Sequence, residues 1–118
     1  AAGYHFALHS DGAVCEVVQD VVEMGVDLLH PVQSECVDVR LVKDTYGQEL
    51  TIWGGYGNQG TLVFGAPQEV RDEVNGLCAL LGKGGGFILS PGLGLQNETP
   101  LENAVAFIEI AKEWQRGL

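Results

Sequence analysis

Short strand-like apolar runs alternate along this chain with stretches whose apolar residues recur every three or four positions. In Tyr4–Leu8, Tyr4, Phe6 and Leu8 share one face, with His5, Ala7 and His9 on the other, as side chains of a strand alternate. Gly12 closes a polar turn. Val14, Val17, Val18, Val21 and Val22 then oppose Glu16, Gln19, Asp20 and Glu23, which is helical spacing. Gly25 is a natural stop. A second strand is expected over 27–31, with Pro31 at its end because proline has no N–H to donate. Asp38–Tyr46 reads as a helix with Val39, Leu41 and Val42 inward, and 50–54 as a third strand. Pro67 opens a helix with Val70, Val74, Leu77, Cys78 and Leu81 on one face, and 86–90 is a fourth strand. Thr99, Pro100 and Glu102 have the order of an N-cap, first helical residue and capping box. Leu101, Val105, Ile108 and Ala111 form the expected buried stripe of that last helix.

The resulting order, βαβαβαβα, implies an α/β fold with a parallel sheet and right-handed crossovers. The 118 residues form a single domain, 1–118. A hydrophobic share of 46% is that of a globular chain. The net charge of -10 argues against a nucleic-acid partner, which needs a basic face. Cys15, Cys36 and Cys78 match no zinc spacing and are odd in number, so a reducing, cytoplasmic setting is expected. No apolar run is long enough to span a membrane. Ala1-Ala2-Gly3 has neither a basic region nor a signal-like core, so no export signal is expected, and no initiator Met is present.

The chemistry-bearing pair is His9 and Asp11, at the exit of the first strand. Two readings stand side by side. They are metal ligands or acid/base groups, or Asp11 caps the next helix through a backbone N–H. Cys36, in the second exit loop, could approach the same mouth but reads more simply as a free cysteine. His5 and His30 read as packed or surface histidines. Gly84-Gly85-Gly86 precedes a strand and not a helix, so it is a tight connection and not a phosphate cradle. Gly54-Gly55-Tyr56-Gly57 leaves a strand, where it could line a pocket with Tyr56 as a wall.

Several phrases then occur in order: His9-Ser10-Asp11-Gly12, Gly25-Val26-Asp27, Pro31-Val32-Gln33, Gly54-Gly55, Phe64-Gly65, Pro67-Gln68-Glu69-Val70-Arg71, Gly85-Gly86-Phe87-Ile88-Leu89-Ser90 and Thr99-Pro100-Leu101-Glu102-Asn103. With them the chain resembles the C-terminal half of the uroporphyrinogen decarboxylase superfamily, which includes cobalamin-dependent methyltransferases. The wording is closer to the methyltransferase branch. The resemblance implies four βα units of a (β/α)8 TIM barrel, whose active site lies at the C-terminal ends of the strands. It implies His9 and Asp11 as catalytic or metal-holding residues, and Gln33, Gly54, Gly55, Tyr56 and Ser90 as substrate-binding residues. Zinc is the implied metal and a corrinoid protein the implied partner. Zinc-dependent members use His-x-Cys at the first exit and a Cys or His in the last exit loop. Here Asp11 stands in place of that Cys and Leu93 at the later position. The acid that often follows the paired glycines of the third exit is also missing.

The expected function is therefore a uroporphyrinogen decarboxylase-like or corrinoid methyltransferase-like protein, incomplete as an enzyme on its own. The alternatives are a non-catalytic small-molecule-binding or interaction module, or a fragment of a full-length enzyme. Two open apolar edges, Tyr4–Leu8 and Phe87–Ser90, lack guarding Lys or Pro residues. They predict a homodimer that completes the barrel.

Overall fold

The computed structural model describes residues 3–117. Four strands form one sheet in the order β1-β2-β3-β4, with every neighbouring pair parallel. They are β1 (Ala7–His9), β2 (Leu28–Gln33), β3 (Thr51–Tyr56) and β4 (Phe87–Pro91). The sheet is open, the equivalent of half a (β/α)8 barrel. The helices are α1 (Val18–Glu23), which follows a 3-10 turn over Cys15–Val17, then α2 (Val39–Tyr46), α3 (Thr61–Phe64), α4 (Pro67–Leu81) and α5 (Leu101–Gly117).

The strand register sorts the two faces. Leu29 pairs with Ile52 on the helix-covered face, and both are fully buried. Trp53 pairs with Ile88 on the other face, where both are exposed. The covered face packs against Val18 and Val21 of α1, Val39 and Val42 of α2, and Val70, Val74, Leu77, Cys78 and Leu81 of α4. Burial of each large side chain contributes about 1.5–3 kcal/mol. Asp38 caps α2, its Oδ1 accepting from Leu41 N–H at 3.0 Å. Glu69 reaches back to Ala66 N–H at 2.7 Å at the start of α4.

Four expectations are corrected. Strand β1 is shorter and later than 4–8, and Tyr4 and Phe6 lie exposed before it. Pro31 is inside β2 and not at its end; the β2–β3 register shifts between Leu29 and Val32, where the missing donor falls. Leu41 points to solvent, 56% exposed.

The fourth correction concerns α5. Leu101, Val105 and Ile108 are 77%, 42% and 46% exposed, and Ala104, Phe107 and Ile110 are buried instead. This helix is apolar on more than one side, and Phe107 decides the rotation. Phe107 meets Tyr56 edge to face with centroids 5.1 Å apart, a favoured aromatic geometry. Asn103 is drawn in with it. Its Nδ2 donates to Leu62 O at 3.0 Å and Gly65 O at 2.8 Å, closing α3. Thr99 Oγ1 is buried without a partner, so the expected capping box does not form.

Asn103→Ala removes the one side-chain donor that serves both α3 carbonyls. The expected cost is about 1–3 kcal/mol, read as a lower urea midpoint with an unchanged slope.

Candidate active site

A row of rings crosses the uncovered face of the sheet, with His9 at the end of β1 and His30 and Trp53 within β2 and β3. Register pairs His9 with His30, and Trp53 follows on β3. The His9 and His30 rings lie 5.0 Å apart, and His30 and Trp53 4.8 Å apart at 54°. His9 Nδ1 is 2.8 Å from His30 Nδ1. His9 Nε2 is 3.3 Å from Asp11 Oδ2. Asp11 therefore faces His9, and the Cys15–Val17 turn and α1 have no side-chain cap. The capping alternative is not realised.

These rings border a pocket of about 450 Å³, with Ser90, Pro91, Leu93 and Leu95 of the β4 exit on its other side. None of its lining residues is Lys or Arg. The β4 exit is held in place by Asn58, which is buried. Asn58 Oδ1 accepts from Leu93 N–H at 2.7 Å, and its Nδ2 donates to Leu93 O at 3.0 Å and Gly94 O at 3.2 Å. A larger cavity, about 710 Å³, lies away from this mouth, between the β4 edge and the helices, lined by Cys78, Phe87, Leu89 and Trp114.

The expected site residues divide. His9 and Ser90 border the pocket, and Asp11 stands on His9. Tyr56 does not form a wall. It is fully buried on the helix side, where burial and nearby Glu73 hold its phenol far above the usual range. Gly54 and Gly55 are buried strand residues with φ of +116° and +80°. A Cβ on Gly54 would meet Pro31 backbone at 3.3 Å, and one on Gly55 would meet Leu81 at 3.0 Å. Both glycines permit close packing here, and neither lines the pocket of about 450 Å³. Gln33 is buried beneath Gly92, whose added Cβ would lie 2.6 Å from it; it supports the β4 exit. Cys36 is exposed.

Zinc needs at least three protein donors converging on one point. Asp11 and His30 approach opposite nitrogens of His9, so the three cannot share an ion. Among the described residues no group of three or more His, Cys, Asp or Glu side chains could hold a metal. The residues in place do not fit the zinc that the resemblance implies.

A uroporphyrinogen decarboxylase (URO-D) profile matches residues 2–114. The chain belongs to the uroporphyrinogen decarboxylase family. It is 26% identical over 77 residues to the uroporphyrinogen decarboxylase of Psychromonas ingrahamii, covering 65% of this chain and 21% of that protein. It is 28% identical over 96 residues to that of Pseudomonas fluorescens, covering 81% and 26%. The chain thus spans about a quarter of the length of these family relatives. A methyltransferase from Methanosarcina mazei superposes with a TM-score of 0.73 at 24% identity, over 96% of this chain and 32% of that one. At that identity the likeness is one of fold. No helix among the described residues is long and apolar enough to cross a membrane.

His30 and Trp53 are the site residues that a reading by motif misses. Their signal is register: His30 pairs with His9 across β1 and β2, and Trp53 follows Ile52, the β3 partner of Leu29. Burial and neighbouring His9 lower the His30 pKa, with Asp11 opposing them. The unfolded chain therefore takes up this proton more readily, and the linked stability declines as pH falls below about 6.5. A protonated imidazole quenches an adjacent indole. In a Trp114→Phe background, Trp53 emission should fall with a midpoint below pH 6.5. His30→Gln should abolish the step.

Proposed function

We propose that this chain supplies the C-terminal half of a barrel enzyme of its family, on the methyltransferase-like side. The observation that carries this reading is the pocket at the strand exits, where His9, His30, Trp53 and Ser90 meet with no cation among them. A porphyrinogen's carboxylates would find no counter-charge there. The reaction is methyl transfer to a thiol, with a corrinoid carried by a partner protein as the methyl source. The corrinoid supplies the methyl group as an electrophile. The residues of this chain take the thiol proton and wall off one side of the substrate.

A second copy completes the barrel. Support comes from three exposed apolar features: the unpaired β1 and β4 edges, Ile88 and Trp53 on the open face, and the Phe64 and Leu101–Val105–Ile108 stripe outside α5. So much apolar surface is unusual on a chain that stands alone. A second reading is a non-catalytic binding module. Leu93, at the pocket wall where the resemblance places a metal ligand, favours it.

The test incubates the chain with methylcobalamin and a small thiol, and separately with uroporphyrinogen. Thioether formation that falls at least about 100-fold in His9→Ala is expected, with no carbon dioxide from the porphyrinogen. Decarboxylation, or equal thioether rates in His9→Ala, would overturn the proposal. Ligand binding without any transfer would favour the module.

A further inference from the structure

His9 engages both of its ring nitrogens, and the chemistry of its two partners orders the protons. Nε2 faces the Asp11 carboxylate at 3.3 Å, and a carboxylate only accepts. Nε2 of His9 therefore carries a hydrogen. A neutral His9 then has a bare Nδ1, and the 2.8 Å contact to His30 Nδ1 requires His30 to donate. A neutral His30 with its hydrogen on Nδ1 has a bare Nε2. The opposite pair of tautomers would set a lone pair of His9 against the carboxylate.

We propose that Asp11 and His9 are positioning residues, and that His30 is the acid/base group of the site, with Nε2 its working atom. Trp53 packs against the His30 ring at a tilt of 54°, and His30 borders the pocket. The source of the proton rests on the methyl-transfer reading above. There the thiol S–H bond breaks and the proton goes to His30 Nε2; the sulfur pair would form the new S–C bond, and the pair of the bond that held the methyl group would stay with the corrinoid. The positive charge that results is shared through the Nδ1–H···Nδ1 contact with His9 and faces the Asp11 carboxylate. A hydrogen bond of 3.3 Å is of the kind that tightens when charge develops.

The test is ring-nitrogen NMR of the histidine-labelled chain at a pH where all three histidines are neutral, with His30→Gln used for assignment. His9 should carry its hydrogen on Nε2 and His30 on Nδ1. Asp11→Asn, at an exposed position, should fold normally and remove the selection, moving His30 toward the Nε2–H form. A native His30 protonated on Nε2, or tautomers unchanged in Asp11→Asn, would overturn the relay. The expected tautomers without any thioether formation would sink the methyl-transfer reading alone. Thioether formation with the opposite tautomers would sink the relay alone.

Discussion

Four parallel strands cannot close on themselves. A barrel of this type needs eight, and this sheet stops at two unpaired ladders, β1 and β4. The helices cover one face and build the core, so the other face and both edges keep apolar residues such as Trp53 and Ile88 in solvent. The strand exits still gather side chains, because parallel strands all end at the same rim. The site is therefore formed on one side and open on the other.

Register turns this geometry into chemistry. His9, His30 and Trp53 are far apart in sequence, and the ladder sets them in a row of touching rings. Asp11 closes one end of the row, and the β4 exit, pinned by Asn58, faces it across the pocket. The arrangement suits proton transfer to or from a neutral or cationic ligand better than the capture of a polycarboxylate. Asp11 and His30 approach His9 from opposite sides, so these three side chains do not converge on one ion.

The elements were legible because their periods differ: alternation marks the strands, and i, i+3, i+4 spacing marks α2 and α4. Family membership was legible from the ordered phrases at strand exits. Three things were hidden, each for a tertiary reason. The buried face of α5 depended on Phe107 finding Tyr56, and the helix carries a second apolar stripe that spacing alone could equally choose. Tyr56 turned inward because β3 runs on past Trp53 to reach it, which puts it on the same helix-covered face as Ile52 four residues earlier. His30 joined the site only through pairing with His9, which no local pattern encodes.

The proposed assembly is a half barrel completed by a second copy. Light scattering of the dilute, purified 118-residue chain tests this most directly. The account predicts a species near twice 12.6 kDa, with no binding of dyes that report exposed apolar surface. A stable monomer of 12.6 kDa that likewise binds no such dye would contradict it.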